Sequence, residues 1–273
     1  MIAAQRLKRV QDRVTAAKPY AEKMRQLVES LAPAVREINH PLLQVREPAE
    51  AVCVVIIAGE KGLCGSYNNN VLRAGLAALE ELQQRQTPAG GARRVHLISV
   101  GRKATDFLRK RQYPLHASFA QIGVDAPFSQ AQAIARAITG IFLEGSADEV
   151  HIAYTEFLSS IQQRARVVRF LPIESPAAGG EESGREREYI FEPDAATLMG
   201  YLLPRYVETQ IYHLLLESLA SEYAARMTAM TNATENAGEM IENLTLNYNK
   251  ARQAAITKEL LEVVSGAEAL RTE

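Results

Sequence analysis

The sequence predicts an α/β chain in which an antiparallel coiled coil of N- and C-terminal helices flanks a central Rossmann-like α/β domain. Three observations carry this reading. The last quarter of the chain holds a heptad-type apolar stripe, a second such stripe opens the chain, and between them apolar β-branched runs alternate with amphipathic ones. The expected divisions are residues 1–45, 46–200 and 201–273.

The opening stripe runs through Leu7, Val10, Val14, Ala17, Ala21, Met24, Val28, Leu31, Val35 and Ile38, at alternating spacings of three and four. Pro19 falls inside it and should bend the helix or remove one hydrogen bond, and Pro33 and Pro41 mark its end. The same segment is locally basic: Arg6, Lys8, Arg9, Arg13, Lys18, Lys23 and Arg25 stand against Asp12 and Glu22. That is the solvated face expected outside a heptad seam.

Ala51 to Ala58, AVCVVIIA, is a continuous apolar run followed by the glycine-rich GEKGLCG and an amphipathic stretch from Asn70 to Gln84, which reads as strand, turn, helix. The pattern recurs with VHLISV (Val95 to Val100), the turn at Gly101 and the helical Ala104 to Arg111. A helix from Ser129 to Leu143, a strand at Val150 to Tyr154 and another over Gln162 to Ile173 complete the alternation. Strands separated by helices imply right-handed crossovers and a mostly parallel, doubly wound sheet. The polar, glycine-rich stretch from Ser175 to Glu188 reads as a mobile loop.

Pro204 is the last proline, and from Arg205 to Leu270 only Gly238 and Gly266 interrupt a run of helix-tolerant residues. Leu216, Ala220, Tyr223, Met227, Met230, Thr234, Ala237, Ile241, Leu244, Tyr248, Ala251 and Ala255 form the seam. A helix of that extent is roughly 100 Å long, against roughly 40 Å for a globular domain of this mass, so it must project. After Ala255 the stripe advances by one residue to Ile256, Leu260, Val263, Ala267 and Leu270, a rotated face that meets a different surface.

Composition narrows the function. The 273 residues are 47% hydrophobic and 23% charged, with a net charge of −1, which disfavours nucleic acid as a partner. No apolar run reaches the length of a membrane span and no signal-peptide core opens the chain, so a soluble, cytoplasmic protein is expected. Cys53 and Cys64 have no metal-ligand spacing, and neither a metal site nor a disulfide framework is expected. The loop GEKGLCGSYNNN stands where a doubly wound fold cradles phosphate, yet it contains neither GxxxxGK[ST] nor GxGxxG, so no nucleotide or other cofactor is expected. The five histidines are scattered, and no GxSxG elbow is present.

Three stretches add more: GEKGLCGSYNNN (Gly59 to Asn70), ESLASEYAARMTAMTNATENA (Glu217 to Ala237) and NYNKARQAAITKELLEVVSGAEAL (Asn247 to Leu270). Together with YIFEPD (Tyr189 to Asp194) and LPRYVETQIY (Leu203 to Tyr212), they make the whole chain resemble the γ subunits of F-type ATP synthases. The resemblance implies a non-catalytic central shaft, one copy per complex, turning within a ring of α and β subunits. Proton or sodium flow through a membrane c-ring would drive it, with ε as a further partner. It implies a peripheral location on the cytoplasmic side of a bacterial plasma membrane or on a thylakoid.

Carried over by motif, Arg252, Gln253 and Thr257 match positions that engage the catch loop of the catalytic subunit, and Tyr189 and Glu192 match the foot resting on the membrane ring near ε. The chain departs from the chloroplast form in having no cysteine pair between Ile173 and YIFEPD, so no thiol switch is expected. In the family the first helix starts earlier, which leads to the expectation that about twenty residues, roughly 30 Å of helix, precede Met1 in the native chain. Two other classes compete. A nucleotide-dependent α/β enzyme would bind nucleotide stoichiometrically, and a static coiled-coil scaffold would form a stable homodimer.

Overall fold

The computed structural model describes residues 2–30, 40–85, 91–123, 126–173 and 195–271. These fall in two compact units, Met1–Thr228 and Ala229–Glu273.

In the first unit, helix α1 (Ile2–Ser30) carries Pro19 in its interior. Its buried residues are Leu7, Val10, Met24 and Val28, on the predicted stripe. A short 3₁₀ turn, Pro41–Leu43, is capped by the His40 Nδ1 accepting from the Leu42 amide, and it leads into the sheet.

Strand β1 (Ala51–Ile57) is buried along all seven residues, as a central strand covered on both faces must be. It pairs in parallel with β2 (Arg94–Val100) on one side and β4 (Glu149–Phe157) on the other. The short β3 (Ala117–Phe119) extends the sheet beyond β2. At the opposite edge β5 (Gln163–Leu171) runs antiparallel to β4, giving the order β3-β2-β1-β4-β5.

The two faces of β1 feed two cores. Cys53, Val55 and Ile57 join Ile134, Ile138 and Phe142 of helix α4 (Phe128–Leu143) and the first turns of α5 (Ala195–Arg271). Val52, Val54 and Ile56 join helix α2 (Tyr67–Gln84) and helix α3 (Arg102–Lys110). Helix α2 approaches closely because Gly75 faces the sheet, where a β-carbon would lie 2.8 Å from Ile56 Cδ1.

A third cluster joins α1 to α5: Leu7 and Val10 pack with Leu216, Leu219, Ala220, Tyr223 and Ala224. The pairing is antiparallel, since Arg6 lies over the Tyr223 ring at 6.0 Å while Tyr20, further along α1, hydrogen-bonds Arg205. Ala17, Ala220 and Ala224 lie in this cluster and take little room between the two helices.

One expectation is corrected. The long helix begins at Ala195, with Pro204 inside it rather than ahead of it. A proline forfeits one helical hydrogen bond, but Met199, Leu203, Val207 and Ile211 are all buried on the sheet side, and that burial carries the helix through. The loop from Ser175 to Glu188 lies outside the described residues.

The second unit is the remainder of α5. Ile241, Leu244, Tyr248, Ile256, Leu260 and Val263 of the seam and its rotated continuation are all exposed there.

Candidate functional site

With β3, β2, β1 and β4 parallel and in this order, the sheet has its topological switch between β1 and β4, and ligands of doubly wound folds bind at the carboxyl ends of the strands there. In this chain the position is filled from within. Helix α5 lies across it and places Ser218, Ser221 and Glu222 against the loops. Ser221 Oγ donates to the Thr155 carbonyl of β4 at 3.2 Å, and the Tyr67 hydroxyl donates to the Ser218 carbonyl at 2.9 Å.

The glycine loop that follows β1 is committed to the same helix. Arg226 reaches it with hydrogen bonds of 3.3 to 3.4 Å to the carbonyls of Lys61 and Gly62, while its guanidinium pairs with Glu222 at 2.5 Å. Glu222 is 4% exposed and lies against Gly59. Asn68 holds the loop from the other side: its Oδ1 accepts from the Gly59 amide at 2.9 Å, and its Nδ2 donates to the Lys61 carbonyl and to Cys64 Sγ.

The electrostatics follow from burial. Loss of water raises the pKa of the Glu222 carboxyl and Glu60 raises it further, against the pull of Arg226. Burial and the neighbouring Glu222 also lift the Tyr67 hydroxyl well above its usual range and raise the Cys64 thiol. Neither is an activated nucleophile. Cys53, inside β1, is pushed up to about 12 by burial. An acidic side chain therefore occupies the place where a nucleotide-binding protein would receive phosphate, which speaks against the nucleotide-dependent enzyme.

Arg252, Gln253 and Thr257 stand in the second unit, on α5, all exposed. Gln253 and Thr257, four residues apart, share a helix face, with Arg252 next to it. Tyr189 and Glu192 lie outside the described residues. The residues that local reading missed are Asn68, Glu222 and Arg226. The signal was available: an acidic and a basic residue four apart, each directly N-terminal to a seam residue, Tyr223 and Met227.

Among the described residues no three His, Cys, Asp or Glu side chains could hold a metal ion together, and no helix is long and apolar enough to cross a membrane.

The profile of the ATP synthase family matches residues 1–270. The ATP synthase gamma chain of Desulforudis audaxviator is 43% identical over 98% of this chain and 91% of its own length. That of Moorella thermoacetica is 44% identical over 99% and 91%. Among solved structures, a chain of the Euglena gracilis mitochondrial ATP synthase (OSCP/F1/c-ring, rotational state 3) superposes with a TM-score of 0.61 at 20% identity, covering 98% of this chain and 93% of that one. A chain of the Tetrahymena thermophila mitochondrial ATP synthase central stalk and c-ring gives 0.56 at 23% identity, covering 86% and 100%. At these identities the two structures speak to the fold alone.

Proposed function

The chain belongs to the ATP synthase family as one of its gamma chains, and on that premise we propose that its paired terminal helices carry torque between a membrane ion ring and a catalytic ring. It is a central-stalk, non-catalytic subunit and a peripheral component of its complex. The partners in this reading are the α and β subunits, ε and the c-ring, with one copy of the chain per complex and no nucleic acid. The ion in this reading is the proton or sodium, and the site is the cytoplasmic face of a bacterial plasma membrane or a thylakoid.

The observation that carries the mechanical part is the closed crevice. A rotor must pass torque between its α/β body and its helices without slipping. Here α5 is buried on the sheet through Met199, Leu203, Val207 and Ile211 and pinned at the strand ends by Ser221, Glu222 and Arg226. In this reading residues 1–45 and 201–273 are the shaft and 46–200 the body it grips. Arg252, Gln253 and Thr257 grip the catalytic subunit, and Tyr189 and Glu192 rest on the membrane side.

The test is purification of the complex through a tag on this chain, followed by attachment of an optical probe to the α/β body. Co-purification of α and β with a single copy of the chain, and probe rotation on ATP addition, are expected. A complex with two copies, or ATP hydrolysis with a stationary probe, would sink the reading. Arg252→Ala combined with Gln253→Ala should lower torque several-fold while leaving subunit content unchanged.

A further inference from the structure

Within the first unit a groove of about 430 Å³ opens between α1, the first residue of α4 and the early turns of α5. That volume is in the range of small-molecule sites. Its lining is mixed in an informative way. Ala16 and Ala17 line one side with methyl groups, and the rings of Phe128 and Tyr212, edge to face at 5.4 Å, line it as well. Arg13 and Arg205 line it from two different helices, and no carboxylate among the described residues lines it, Glu208 reaching it only through its ion pair with Arg205.

Arg205 is held in place, with its guanidinium 5.0 Å from the Phe128 ring centre and 2.8 Å from Glu208. His213, also in the lining, has its pKa lowered by burial and by Lys18, so near neutral pH it offers an uncharged imidazole rather than a third cation. Flat apolar walls with arginines at the rim suit a planar apolar body bearing one negative charge.

We propose that this groove binds a flat amphiphilic monoanion, an aromatic carboxylate or sulfonate, with its ring against Ala16, Ala17 and the two aromatic rings and its acid group between Arg13 and Arg205. Such a ligand bridges α1 and α5 and so acts on the stiffness of the helix pair. Every residue named in the groove belongs to this one chain, so the full chain without partners carries the site.

The probe is 8-anilinonaphthalene-1-sulfonate, followed by fluorescence, with N-phenyl-1-naphthylamine as the same ring system without the sulfonate. Exposed seam residues such as Ile241 and Leu244 offer dye-binding surface too, so the diagnostic quantity is what a groove substitution removes. Ala16 is exposed, so Ala16→Trp fills the groove from the surface, and Ala16→Phe is the milder variant. One saturable sulfonate site per chain should disappear in Ala16→Trp and weaken in Ala16→Phe. Arg205→Gln or Arg13→Gln should weaken the sulfonate at least five-fold while the uncharged dye changes less than two-fold. Unchanged site number and affinity in both Ala16 variants, or equal loss of the two dyes on arginine substitution, would overturn the proposal.

Discussion

The carboxylate of Glu222 lies so close to Gly59 that a β-carbon on the glycine would stand 2.8 Å from Glu222 Cδ and 3.0 Å from both its oxygens. The first residue of the glycine loop is small because a side chain of the long helix needs the room, not because a phosphate does. Gly59→Ala should therefore push the carboxylate off Arg226 and cost about 1–3 kcal/mol, as overpacking of a filled site does. Glu222→Asp shortens the side chain, so the double variant Gly59→Ala/Glu222→Asp should be more stable than the sum of its parts. Urea midpoints for the four proteins measure this, and additivity within about 0.5 kcal/mol would show that the two positions are not coupled.

Arg226 is the tether between the helix and the loop, and its loss leaves Glu222 buried without its partner. Arg226→Ala should cost about 3 kcal/mol, the range for breaking a buried pair from one side. Its second effect is local: amide exchange in Gly59–Gly65 should speed up many-fold while β1 and β2 amides keep their protection. A loop that exchanges as in the parent would mean that Asn68 alone holds it.

How much of this was legible in the sequence follows the range of the interactions. The buried run of β1 and the amphipathic α2 and α4 carry their own periodicity, so strands and helices were placed within a few residues of the observed bounds. Strand β3 was missed because ASF is too short to show alternation, and its place depends on a ladder with Ile98, Ser99 and Val100. The start of α5 was read too late because proline was taken as a boundary, a local rule that tertiary burial overrides here. The destination of the glycine loop was out of reach of any local rule, since Arg226 is more than 160 residues from Gly62. The closing of the switch point by α5 is visible only once the strand order is known.

The thiols give a chemical prediction. Cys64 is buried, its thiol raised by burial and by Glu222, and Cys53 is sealed inside β1. Iodoacetamide at neutral pH should leave both unmodified in the native chain and label both after denaturation. In the assembled enzyme, dithiothreitol should leave the ATPase rate unchanged. Thiol-dependent activation would contradict the absence of a switch.

The last prediction concerns pH and rests on Glu217, whose carboxyl is raised to about 7 by burial first and by Glu156 second, against Arg166. Around it stand Glu156 on β4, paired with Arg166 of β5 at 2.9 Å, His213 on α5 at 3.5 Å, and Lys18 of α1 near that histidine. In the unfolded chain the group titrates near the ordinary glutamate value of 4.5. A folded pKa above the unfolded one means that the folded state holds the proton longer, so this residue's contribution is fully present below 4.5 and is lost as pH rises to about 7. Solvent screening of a partly exposed group reduces the loss to about 1–2 kcal/mol. His213 acts in the opposite sense, because its lowered pKa makes the fold lose stability as pH falls through the histidine range. The two slopes overlap in the parent, which is why the difference curve is the quantity to measure. Glu217→Gln removes one slope and leaves the other. Stability of the variant minus that of the parent, from urea midpoints between pH 4 and 9, should climb through the interval from 4.5 to about 7 and stay level above it. A flat difference curve across that interval would show that Glu217 titrates as an ordinary surface carboxylate.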